Sequence, residues 1–347
     1  MKVLNGLKTL GLVFHLKGQA RYRKTPFGNA PERGHAARFW ATGKLLRLAA
    51  RYGIHADNVS DHFASEPPKN PLVLKDYAVR KGKDRESGRR IRWKKTAFDT
   101  AVAKRLETEV RELNEFLARF ELTGGEHYGY ERVFNNLSWK KGGRLYSSGE
   151  QCYQRLSEAE RLKMTINGEP VAEIDIKASF LTVYHAMVKR PLQGSGDPYV
   201  AVAEIDRSIV KLWTTISFGN SNPATRWPAK TVKDFKKETG KDLSKVAGAK
   251  DIAQKMLETF PALKKLKALH EAWAHLQYRE GQAVMGTMMI LMREHRVPSF
   301  SMYDGIIVPK SKADMAVVTL KQVFKEVVGV IPILTVDTTE PIRAEDL

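Results

Sequence analysis

Cysteine is almost missing: Cys152 is the only one in 347 residues. That excludes a disulfide framework and a cysteine-based zinc site, and it fits a reducing compartment, the cytoplasm. Acidic residues are few beside basic ones, 39 against 58, giving a formal net charge of +19. Such an imbalance points away from neutral small-molecule chemistry and toward nucleic acid, through phosphate contacts and counterion release. Long apolar runs are also missing. The patch Leu10–Leu16 is interrupted by His15, is too short for a membrane span, and is followed by no small-residue cleavage site. No membrane partner is expected. Internal repeats and low-complexity tracts are absent as well.

What is present falls into blocks. Pro26, Gly28, Pro31 and Gly34 break up a basic start, and a helix is predicted through Ala36–Tyr52. Arg80–Lys95 carries nine Lys/Arg against two acids and reads as a phosphate-tracking loop or as a solvated one. Leu106, Val110, Leu113, Phe116, Leu117 and Phe120 recur at helical spacing within about Thr96–Phe120. Asn167-Gly168 is a hairpin turn between Lys163–Ile166 and Val171–Ile176. Helices are expected through Phe180–Met187, Asp206–Phe218, Lys250–Leu257, Pro261–Tyr278, Gln282–Arg293 and Ala313–Val328, with a strand at Ile331–Val336. Lys230–Lys250, with seven lysines, reads as exposed helix and loop.

Two apolar strand-like segments each carry an aspartate: Asp175 in Val171–Ile176 and Asp304 in Phe300–Val308. Alone, the first reads as an edge or cap residue and the second as an ordinary Tyr-Asp-Gly turn. A carboxylate in an apolar strand is costly unless compensated, and two such strands side by side would form a hard anionic site suited to Mg²⁺. Arg207, Lys211 and Thr215 recur every four residues on one helix face, while Ile209, Leu212, Trp213 and Ile216 anchor the helix. A fixed cationic face opposite two carboxylates suits a triphosphate bound on metal.

In order, these segments resemble the family A DNA polymerases and, more distantly, the single-subunit phage RNA polymerases. Lys141-Gly-Gly-Arg-Leu-Tyr-Ser-Ser148 looks like the family's Thr-Gly-Arg-Leu-Ser-Ser segment; Val171–Tyr184 looks like motif A; Arg207-x₃-Lys211 with Phe218-Gly219 looks like motif B; Phe300–Pro309 looks like motif C. The likeness runs from about Ser138 to Val336. Motif B is one residue tighter than the family A pattern, as in family B polymerases. Thr215 replaces an aromatic, Tyr303 stands where histidine is usual, and Gly305 stands where a second acid is common. The short distances between motifs resemble the minimal phage and mobile-element enzymes.

The resemblance implies an α/β, right-hand polymerase with an antiparallel palm sheet, helical fingers and a reduced helical thumb. The expected divisions are a basic thumb-like region at 1–135, palm at 136–200, fingers at 201–285 and palm again at 286–347. It implies two Mg²⁺ ions, with Mn²⁺ as a substitute, held by Asp175, Asp304 and the Ile176 carbonyl, roughly 3.5–4 Å apart. Arg207 and Lys211 would meet the triphosphate, Arg144 the duplex and Tyr303 the primer terminus. Phe180, five residues after Asp175, would pack under the sugar and exclude a ribose 2′-hydroxyl, or be helix core only. Lys177 would touch phosphate or template. The partners implied are DNA primer-template, dNTPs and a replicative helicase or small accessory protein, with no proofreading exonuclease. A primase or RNA polymerase on the same palm, a non-catalytic basic DNA-binding replication protein, and a metal-dependent nuclease are the competing readings.

Overall fold

The computed structural model describes residues 2–25, 28–62, 67–81, 84–86, 88–149, 152–192, 194, 196–202 and 205–339. The chain divides into two compact units, Met1–Ser65 and Glu66–Leu347.

In the first unit, helix Lys2–Thr9 leads into a two-stranded antiparallel ribbon. Val13–Leu16 pairs with Arg38–Ala41, and Gln19–Thr25 pairs with Gly28–His35. The helix predicted over Ala36–Tyr52 therefore starts later, at Gly43–Arg51. Arg38–Ala41 is drawn into strand by its partner, and Thr42 caps the helix, its hydroxyl accepting from the Leu45 amide at 3.3 Å.

The second unit is mixed α/β. Its main sheet is antiparallel and centred on strand Glu169–Ile176. Gly305–Pro309 pairs along one edge of that strand, with Phe300–Met302 beyond it; Leu334–Thr338 pairs along the other. The Asn167-Gly168 turn forms as predicted, both residues with positive φ, joining Thr165–Ile166 to the central strand. A smaller mixed sheet holds Gly142–Ser147, Tyr130–Phe134, Leu72–Lys75 and Arg90–Ile91. Residues 82, 83 and 87 of the basic stretch Arg80–Lys95 lie outside the described residues.

Helix Ala101–Leu117 turns Leu106, Val110, Leu113, Phe116 and Leu117 into the core, as its spacing requires. Ala272–Arg293 is a single 22-residue helix, buried along most of its length. The sequence predicts a break near Tyr278–Gln282; the break falls earlier, where a 3₁₀ segment at Pro261–Ala268 ends and Glu271 takes φ 54°. Gly281 is needed within this helix because the Gly143 carbonyl lies 2.8 Å from where a β-carbon would sit. The close approach sets the helix directly on strand Gly142–Ser147. No described helix is long and apolar enough to cross a membrane.

Candidate active site

Asp175 and Asp304 converge through one register. Asp175 is paired across the ladder with Gly305, and Asp304 lies in the two-residue turn between Met302 and Gly305, which are themselves paired. Tyr303 opens that turn with φ 54°, a conformation that side chains usually avoid. The turn's edge strand is tied to the smaller sheet by a buried network. The Tyr153 hydroxyl donates to the Ser301 carbonyl at 2.5 Å, the Ser301 amide donates to the Tyr130 hydroxyl at 2.7 Å, and the Gln154 amide donates to the Ser301 carbonyl at 2.8 Å.

Burial pushes the Asp175 carboxyl up to about 7, with Asp304 and then Glu173 adding repulsion, against the pull of Arg161 and Lys211. Asp304 is also raised, chiefly by burial, while Arg144 and Lys211 oppose the shift. Glu173, on the same face as Asp175, is taken up by Arg161 through bonds of 2.8 and 2.6 Å. One oxygen of Asp175, Oδ1, is buried and has no hydrogen-bond partner. A buried carboxylate oxygen left over beside a second carboxylate fits a cation. The described residues contain no cluster of three carboxylate, histidine or cysteine ligands. A hard cation bound here would take its remaining ligands from backbone, water and substrate, as Mg²⁺ does at phosphate sites.

Gly305 explains why no second acid follows Asp304. A β-carbon at 305 would stand 2.2 Å from Asp175 Oδ1 and 2.5 Å from the Ile174 carbonyl. The Gly305→Ala protein should lose about 1–3 kcal/mol of stability and hold divalent metal more weakly. Urea unfolding and metal-dependent melting would measure both.

The carboxylates open into a cleft of about 380 Å³, lined among others by Arg144, Ile176, Lys177, Phe180, Arg207, Lys211 and Thr215. Helix Arg207–Asn220 buries Ile209, Trp213 and Phe218 and leaves Arg207, Lys211 and Thr215 exposed on the cleft side. Lys211 bears electrostatically on both aspartates. Arg207 is partly committed elsewhere: its Nε donates to Asp197 at 2.6 Å, and its guanidinium lies 5.8 Å from the Tyr199 ring. The Thr215 hydroxyl donates to its own helix, at the Lys211 carbonyl. Lys177 lines the cleft; on the neighbouring strand, burial and then Glu158 raise the Asp337 carboxyl, and the Lys177 charge opposes that shift.

Arg144 lies between two rings, 5.3 Å from Phe180 and 5.5 Å from Tyr303. Phe180 is half-buried, its edge against Phe218 at 6.2 Å. Sequence reasoning missed what holds Arg144. Glu280, fully buried on helix Ala272–Arg293, accepts from Arg144 Nε at 2.6 Å and from the Ser179 hydroxyl at 2.7 Å. Its carboxyl is pushed up to about 7, first by burial. An acid in an apolar helical stretch is the same signal that singled out Asp175, but the predicted helix break placed Glu280 in a loop. A larger groove of about 950 Å³, lined by His185, Phe260 and Lys265 among others, offers no carboxylate pair; its Asp197 belongs to Arg207.

No protein-family model and no curated protein matches the sequence. Among solved structures, the chain is similar to the polymerase domain of Pol1 from M. smegmatis, determined in complex with DNA primer-template and dNTP. The TM-score is 0.36 at 9% sequence identity, over 68% of this chain and half the length of that one. At that level the likeness is coarse, and the site's own geometry carries the argument.

Proposed function

We propose that this chain is a template-directed DNA polymerase that transfers nucleotides from dNTPs to a primer 3′-hydroxyl. One observation carries the reading: a carboxylate on the central strand, with an unpartnered buried oxygen, and a second in the turn beside its ladder partner Gly305 line one cleft with a helix that presents Lys211 and Arg207. In this reading the antiparallel sheet is a palm, 201–285 are fingers, and the whole follows the right-hand plan.

Asp175 and Asp304, with the main-chain carbonyl of Ile176, would hold two Mg²⁺ ions. Metal held there would supply Lewis acidity for the attacking hydroxyl and positive charge for the leaving pyrophosphate. The protein's own contribution is positioning and charge. Lys211 offers an ammonium to the triphosphate. Arg207 adds a guanidinium whose direction is fixed by Asp197, which spares reorganisation during the reaction. Arg144, held by Glu280 and lying near the Phe180 and Tyr303 rings, would contact the duplex near the primer terminus. The Phe180 ring, braced on Phe218, would close off the space that a 2′-hydroxyl needs.

The test is extension of a labelled primer-template in Mg²⁺, with dNTPs, rNTPs and no primer. Growth with dNTPs on a primer supports the proposal. Growth only with rNTPs or without a primer shifts it to a primase, and shortening of the strand to a nuclease. The Phe180→Ala protein should accept rNTPs at least roughly tenfold better relative to dNTPs, read from single-nucleotide incorporation. An unchanged ratio would leave Phe180 a packing residue.

A further inference from the structure

The first unit carries a feature that nucleotidyl transfer does not use. Phe14 and Trp40 are direct cross-strand partners on the ribbon, so their rings share one face, with centroids 5.9 Å apart. The two residues are 55% and 50% exposed. Next along the same face stand Leu16 and Arg38, also paired with each other and exposed. The opposite face is different. There His15 and Phe39 stack on each other at 4.5 Å with planes 5° apart, and Lys8 Nζ lies 3.3 Å from the His15 ring. Those two rings lie parallel and close; Phe14 and Trp40, tilted by 33° and farther apart, are not stacked on one another in that way.

We propose that the Phe14–Trp40 face is a base-stacking site for single-stranded nucleic acid. Two half-exposed aromatic side chains set side by side on a thin ribbon form an apolar patch of the kind that marks an interaction site. Residues 1–65 hold 11 Lys/Arg against three Asp/Glu, a formal +8. The nearby helix Gly43–Arg51 places Lys44, Arg47 and Arg51 at spacings of three and four, on one side. Aromatic platforms bordered by cations hold single strands without regard to sequence, because every base offers a ring face and every link a phosphate. A duplex hides its base faces except at its ends. A second copy of this chain would bring another +8 against the first.

The proposal is independent of the catalytic reading, because the Phe14–Trp40 pair belongs to the first unit, and single-strand binding through it should persist in a chelator. Binding of the full-length chain to labelled oligo-dT and oligo-U, followed by anisotropy, is the experiment. The Phe14→Ala/Trp40→Ala double variant should bind at least roughly tenfold more weakly. Its salt slope should be unchanged, since no phosphate contact is removed, and Trp40→Phe should restore most of the affinity. A wild-type affinity in the double variant would overturn the proposal. So would an equal loss on blunt duplex, or a variant whose only change is its oligomeric state. Because the double variant could misfold, irradiating the wild-type protein on an oligonucleotide carrying 5-iodouracil supplies a second reading. Adducts at Phe14 or Trp40 support the site, and adducts confined to other segments dismiss it.

Discussion

The Asp304→Asn protein should lose at least about a thousandfold in primer extension while remaining folded. The expectation follows from where Asp304 stands. It occupies the tip of a two-residue turn, beside a carboxylate whose Oδ1 already lacks a partner. Asparagine keeps the shape but removes the charge needed to hold a divalent ion, and electrostatic contributions of this kind are commonly the largest single part of catalysis. Stability should stay level or rise, because Asp175 loses a repelling neighbour. Primer-template binding in a chelator should persist, since Arg144, Lys211 and the basic surface are untouched. Extension that survives the substitution would sink the catalytic assignment, whatever else the protein binds.

The second large effect is a stability that falls as pH rises, and that magnesium restores. Asp175 is held near 7 in the folded chain against 3.8 in a free aspartate, and Glu280 near 7 against 4.5. A carboxyl raised on folding binds its proton more tightly in the native state. Its contribution is therefore whole below the unfolded value and is lost as pH climbs through the folded one. For Asp175 the window runs from about pH 4 to about pH 7, and the loss is on the order of 4 kcal/mol at most. Glu280 acts in the same direction, offset by Arg144. On the proposed function, divalent metal would bind the deprotonated pair, so the stabilisation by Mg²⁺ should be clearly larger at pH 8 than at pH 5. Urea midpoints at both pH values, with chelator and with Mg²⁺, would measure it. Equal metal shifts at the two pH values would mean that the carboxylates are not its ligands.

Much of this arrangement was readable in the residues because its signals are local. The Asn167-Gly168 turn, the apolar strands around the two aspartates, and the four-residue recurrence of Arg207, Lys211 and Thr215 are each spelled within a few positions. The strand Arg38–Ala41 was hidden because its partner lies more than twenty residues away and helix spacing continued past Thr42. Glu280 was hidden by an error of helix length, and with it the anchor of Arg144. The engagement of Arg207 by Asp197 was equally illegible, since Asp197 lies in a loop whose sequence gives no hint of direction. Gly305 looked like a missing acid. Only the cross-strand register shows that its emptiness makes room for Asp175.

That register has a consequence for how such a chain can change over time. Asp175 and Asp304 are separated by more than a hundred residues of mostly helical chain. Their relative placement is nevertheless fixed by a single rung, Asp175 with Gly305, the residue next to Asp304. Segments spliced into or cut from the intervening helices would leave the two carboxylates facing each other, provided the rung at Asp175 and Gly305 is kept. A slip of one residue in that ladder would turn one carboxylate to the opposite face of the sheet. The chain is thus tolerant of length where it is long and intolerant of it where it is short, which is the condition under which a small version of such a fold can be trimmed without dismantling its centre.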